Sequence, residues 1–243
     1  MSWERLSLHF RQTYEGGYRY LDKCGELILA ASKQFDFMTA EVKVSGAKLE
    51  IPEEGITATI DTHEMSVAQE FPGADGTRFE KVAEGLAQLV NDLLQPQSVM
   101  TRGFVTKSYW PMKSDEAASK ASLHLGGTFQ DELAKAVGMV PARKNLDLNF
   151  ASGSLDFHVL VRPVTFEKVS VQRFNPSFGA TREQRARMER LNKKADRIAI
   201  KAAHAIMMEL GLVETDPPAE SFRSHFGELE KQEAALMKAM VIK

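Results

Sequence analysis

Apolar and polar residues alternate every second position through much of this chain, and the alternating runs are separated by stretches whose apolar residues recur at three and four. A period of two places successive side chains on opposite faces of a strand, whereas a three-and-four spacing lines one side of a helix. Leu6, Leu8 and Phe10, set against Ser7 and His9, predict a strand; Gly16-Gly17 predicts a turn, and Leu21, Cys24, Leu27, Ile28 and Ala31 predict a helix behind it. Between Phe35 and Phe71 the period returns to two, with Ser45-Gly46 and Glu54-Gly55 as turns, which predicts a meander of about four short strands.

The same succession then begins again. Thr77 and Glu80 have the spacing of a capping box, and Phe79, Val82, Leu86, Leu89, Val90 and Leu93 form the helical stripe behind it. A strand over Val99 to Tyr109, helical segments over 114–137 interrupted at Gly126-Gly127, and a second meander from Asn145 to Phe174 turning at Ser152-Gly153 follow. A long helix over 182–210, stopped by Gly211, and a linker opening at Pro217-Pro218 complete the series, with a closing amphipathic helix that carries Leu229, Leu236, Met237 and Met240. "EVKVSGAKLEI" from Glu41 matches "DLNFASGSLDF" from Asp147, and "SVAQEFPGADGTRFE" from Ser66 matches "SVQRFNPSFGATREQ" from Ser170, at nearly one shift.

These patterns predict an α+β fold: an internally duplicated β-α-β(3-4)-α unit whose copies form one extended antiparallel sheet with helices packed on a single face. The expected division is a first repeat over 1–97, a second over 98–213 that includes the basic helix of 182–210, and an acidic linker with a C-terminal helix over 214–243. This order of elements resembles the saddle architecture of TATA-box-binding proteins. The resemblance is one of fold pattern alone; with the helices on a single face, the other sheet face is expected to be open. The residues expected to point from that face, among them Thr39, Glu41, Lys43, Thr57, Thr59, Asp61, Asp147, Asn149, Asp156 and His158, are polar or acidic and argue against saddle-type DNA binding.

The single cysteine, Cys24, excludes an internal disulfide and a cysteine-built metal cage. Met1 to Phe10 lacks the pattern of a secretory signal and no run reaches the ~20 apolar residues of a membrane span, so a cytoplasmic protein without a membrane partner is expected.

Charge is the feature most suggestive of a partner. Residues 181–201 carry eight Lys and Arg against three acids in a chain of formal net charge −2. On a helix, Arg182, Arg187, Arg190, Lys193, Lys194, Arg197 and Lys201 share one side, opposite Met188, Leu191, Ala195 and Ile198. Three readings rank in order: a solvated face, pairing with the acidic tail between Glu214 and Glu233, and neutralisation of nucleic-acid phosphates.

Catalytic signals are weaker. Asp61 with His63, and Asp156 with His158, each place a carboxylate and an imidazole two apart, the spacing that on a strand gives one face and a candidate acid–base or metal pair. The sequence contains no phosphate-binding loop or nucleophile elbow, and no cofactor is expected. The leading expectation is therefore a non-enzymatic binding or assembly protein with a protein partner or self-association. It would act through its basic helix, open sheet face or C-terminal helix; nucleic-acid binding ranks second and a small hydrolase or metal enzyme third.

Overall fold

The computed structural model describes residues 2–37, 39–72, 76–124, 143–166, 203–218 and 222–240, with single positions 136, 182, 185, 186 and 189. The chain runs β1 (Glu4–Glu15), α1 (Tyr20–Phe35), β2 (Thr39–Lys43), β3 (Gly46–Ile51), β4 (Ile56–Ile60), β5 (Glu64–Glu70), α2 (Thr77–Leu94), β6 (Ser98–Met112), α3 (Asp115–Ser122), β7 (Leu146–Ser152), β8 (Leu155–Thr165), β9 (His204–Thr215) and α4 (Phe222–Ala239). The strands form one nine-stranded sheet in the order β2-β3-β4-β5-β1-β6-β9-β8-β7, antiparallel throughout. The α+β class, the extended antiparallel sheet and the helices on one face agree with expectation.

β1 and β6 lie side by side at the centre of the sheet. Each is followed by a helix and then by a meander whose last strand returns to pair with it, β5 with β1 and β9 with β6. A helix then packs back on the sheet, α2 in one half and α4 in the other. The described helix that packs on the sheet beside the second meander is α4, whereas the sequence had suggested a helix over 182–210, most of whose residues before 203 lie outside those described.

That long helix needs correction at its end, because residues 204–210 belong to strand β9. The misreading has a physical cause. β9 is buried on both faces over Ala205–Met208 and again over Leu210, Gly211 and Leu212, so its apolar residues, interrupted at Glu209, lack the alternation of a half-exposed strand. The repeat match between 41–51 and 147–157 falls on the hairpins β2–β3 and β7–β8, but the expected Ser-Gly turns do not coincide: the first hairpin turns at Val44-Ser45 with Gly46 opening β3, the second at Gly153-Ser154 with Ser152 closing β7. They differ in place: β4 separates β3 from β5, whereas β8 pairs directly with β9. The second match falls, in its later copy, on residues outside those described.

Smaller departures follow the same logic. α2 begins at Thr77 with Gly76 as its N-cap, so Thr77 is not the cap of a capping box. On α1 the buried side is Tyr20, Leu27, Ala31 and Phe35, and Leu21 is exposed. α3 starts where its cap requires, with Ser114 Oγ accepting from the Ala117 N–H at 3.1 Å; of residues 125–142 only Ala136 is described, and it is helical.

The core joins the two halves through aromatic rings. Phe10 of β1 and Phe104 of β6 are 5.0 Å apart, Phe222 of α4 lies 5.0 and 5.1 Å from them, and Phe226 of α4 reaches both Phe104 and Phe79 of α2 at 5.8 Å. Ring pairs at these separations add stabilisation beyond the area they bury. The C-terminal helix, expected to dock on a partner, thus spends Phe222, Phe226 and Leu229 on its own sheet.

A buried carboxylate fixes that helix in register. Glu233 is 1% exposed, accepts from Thr106 Oγ1 at 2.8 Å and Ser108 Oγ at 2.6 Å, and is salt-bridged to Arg5, which also meets Glu230 at 3.4 Å. A second polar knot sits further along the same two strands, where Arg102 donates to Gln12 Oε1 and to the Pro218 carbonyl, and Gln12 donates to Asn91 Oδ1. A buried ion pair becomes costly when one member is removed, because the other is left without compensation. Glu233→Ala is therefore expected to lower the unfolding free energy by about 3–5 kcal/mol, measured by urea denaturation, and Glu233→Gln by less because the amide oxygen still accepts from a hydroxyl.

Candidate functional site

The two Asp-His pairs have different fates. Asp61, Thr62 and His63 lie in the turn between β4 and β5, so this pair does not share a strand face as its spacing had suggested. Asp61 Oδ1 accepts from the N–H groups of His63 and Glu64 at 2.7 and 2.9 Å, while its carbonyl accepts from the Tyr14 hydroxyl at 2.6 Å. Its carboxylate is spent on closing the turn.

Asp156 and His158 do share the outer face of β8, but the imidazole contacts another carboxylate. His158 Nε2 lies 2.9 Å from Asp147 Oδ1, across the ladder on β7. Among the described residues, no group of three His, Cys, Asp or Glu stands close enough to hold a metal ion. Of the seven basic residues singled out as an anion-binding face, only Arg182 is described, as helical and exposed; Arg187, Arg190, Lys193, Lys194, Arg197 and Lys201 lie outside the described residues.

The outer sheet face is open in part only. Glu41, Lys43, Thr59, Asp147, Asn149 and Asp156 are exposed as expected. At the other end of the central strands the same face is closed: Ser7, Tyr109, Ala205 and Met207 point outward yet are no more than 7% exposed. There the Tyr109 ring packs edge-on against Phe166 at 5.6 Å and its hydroxyl donates to Glu4 Oε2 at 2.7 Å.

Between these regions His9 projects from β1, with Nε2 2.9 Å from Ser7 Oγ. Burial chiefly lowers its pKa, the Lys107 ammonium lowers it further, and Glu209 partly offsets both. His9 is thereby held neutral in the folded chain below the pH at which an unfolded imidazole gains its proton.

An unfinished surface lies at the β7 end of the sheet; Val42 and Val44 are also exposed at the β2 end. Among the described residues β7 is a terminal strand, bonded only to β8. From Asp147 to Ser152 every residue of it is exposed, including Leu148 at 39% and Phe150 at 53%. Leu148 and Phe150 pair with Val159 and Phe157 on the helix-covered side of the sheet, so these apolar side chains point toward the core layer but lie beyond its cover.

On that side β7, β8 and α4 enclose a trough of about 410 Å³ lined mainly by Leu146, Leu148, Phe150, Leu155, Phe157 and Leu236. On the outer side a groove of about 460 Å³ runs over Gly211, between Val105, Val213 and His158. Phe150 borders both hollows, so the strand edge lies between the two.

The opposite end of the sheet is finished differently. β2 is shorter, and its outer side carries Glu41 and Lys43 as an exposed ion pair at 2.8 Å, beside Lys48 and Glu50 on β3. Charges on a terminal strand discourage another chain from adding to it. β7 has no Lys, Arg or Pro. Sequence reading placed a strand here but did not single it out as an edge, although the absence of protective residues from "LDLNFAS" was a signal available in the sequence. No known protein family matches this chain, and neither does any curated protein.

The state of His9 leads to a pH dependence. Its folded pKa is depressed, so on acidification the unfolded chain takes up this proton first, and stability falls as the pH drops below about 6.5. Denaturation midpoints measured from pH 7.5 to 5 should fall less in His9→Gln than in the wild type; parallel curves would assign the acid sensitivity elsewhere.

Proposed function

We propose that this chain is a non-enzymatic binding or assembly protein that engages a macromolecular partner at the β7 end of its sheet. The observation that carries this reading is the exposure of Leu148 and Phe150 on an unprotected terminal strand beside an apolar trough. A terminal strand offers a row of main-chain donors and acceptors to an added strand, which supplies affinity, while pockets for alternate side chains supply selectivity.

The chemistry available fits such a mode. An added extended segment would bond to β7 through its backbone and send every second side chain into the trough, over Leu148 and Phe150. Full burial of a Leu or Phe is favourable by roughly 1.5–3 kcal/mol; completing the burial of two half-exposed ones gives on the order of 2 kcal/mol in total, enough to shift an equilibrium more than tenfold. Polar residues of the partner would meet Asn149 and the His158–Asp147 pair on the other side.

Two other surfaces named from sequence serve this role less well. The apolar side of α4 is committed to the chain's own core, and the outer face is partly closed. A photo-reactive residue introduced at position 149 of the full chain should form covalent protein adducts in cells, and one at position 41 on β2 should not. Adding Phe150→Lys should cut the yield at position 149 about tenfold. Equal labelling at the two edges, or none at position 149, would remove the β7 reading.

A further inference from the structure

Building on that reading of the β7 edge, we infer that its partner is a second copy of this chain, joined by antiparallel pairing of the two β7 strands about Asn149. The β7–β8 hairpin closes through two residues, with Gly153 at φ +64° in the first position and Ser152 paired with Leu155. A two-residue turn of this kind is closed by main-chain bonds between its flanking residues, and bonded pairs then alternate along the ladder. Ser152, Phe150, Leu148 and Leu146 therefore spend their N–H and C=O groups on β8. Asp147, Asn149 and Ala151 turn theirs to the free side.

A two-fold axis at Asn149 matches all three outward residues at once. Asn149 faces Asn149 of the second copy, and Asp147 faces Ala151 in both directions. Each of these pairs can exchange both of its N–H···O bonds. Between them, on the trough side, Leu148 faces Phe150 and Phe150 faces Leu148, so the exposed apolar side chains of each copy cover those of the other.

Charge permits the same arrangement. Asp147 is the only ionisable residue on β7; its carboxylate already lies against His158, and its cross-strand neighbour in the second copy is an alanine. Like charges do not meet directly across the axis, which is what an isologous contact requires of a self-complementary strand. One seven-residue strand per copy makes a contact at the low end of specific interfaces, for which a dissociation constant on the order of micromolar is expected.

Sedimentation equilibrium of the purified full chain from roughly 1 to 100 μM tests this directly. The wild type is expected to move from 27.1 kDa toward twice that mass. Asn149→Pro removes the outward N–H at the axis without breaking the ladder to β8, and Phe150→Lys charges the covered side; both should stay monomeric across the range. Val42→Pro on β2 should dimerise like the wild type. Circular dichroism at the lowest concentration verifies folding, and Phe150→Lys, altering only an exposed side chain, retains the test if the proline variant unfolds.

A wild type that remains at 27.1 kDa throughout, or variants at positions 149 and 150 that still dimerise, would overturn the inference. Loss of dimer in Val42→Pro alone would move the contact to β2 and overturn it as well. Should the wild type be monomeric while position 149 still crosslinks to a different protein, self-pairing fails and the broader reading of the edge stands. Monomeric behaviour with no adduct at position 149 defeats both.

Discussion

The carboxylate of Glu233, buried between α4 and the two central strands, is the contact on which the arrangement of the molecule turns. It is bound at once to Arg5 of β1 and to Thr106 and Ser108 of β6. An ionised group in a nonpolar layer is tolerated only when its partners are correctly placed, so a helix shifted by one turn would strand it. The aromatic cluster of Phe10, Phe104, Phe222 and Phe226 supplies attraction at the same seam but tolerates more sliding than a carboxylate between two hydroxyls and a guanidinium. Together they hold the last helix across the join of the two halves.

That placement of α4 shapes the surface at the far end. The helix covers the inner face over β6 and β9 and reaches the trough through Leu236 and Gln232. Beyond it, β7 presents Leu148 and Phe150 without cover, whereas in the first half α1 packs on α2 and on β3. The two sheet ends also differ in charge: β2 carries Glu41 and Lys43, whereas β7 carries Asp147 and no Lys or Arg. A helix docked by a buried ion pair thus ends short of β7 and leaves Leu148 and Phe150 exposed at that end of the sheet.

Much of this was legible from the residues. Alternation located eight of the nine strands because each has one face wetter than the other, and the three-and-four spacing located α1, α2 and α4. β9 escaped because both its faces are buried, which erases the alternation. The role of α4 escaped for a related reason: an amphipathic stripe states that a helix will cover something without stating what. Asp61 and His63 show the limit for sites, since a two-residue spacing has its strand meaning only on a strand, and here it closes a turn. The β7 edge is intermediate; its sequence lacks Lys, Arg and Pro, but its position at the end of the sheet is a property of topology.

Amide hydrogen exchange along β7, followed as a function of protein concentration, reads this account most directly. The N–H groups of Leu148 and Phe150, bonded to β8, should be protected at every concentration. Those of Asp147, Asn149 and Ala151 should be protected when the chain is concentrated and exchange quickly on dilution. Fast exchange of those three amides at all concentrations would contradict the account, and so would equal protection of all five at the highest dilution.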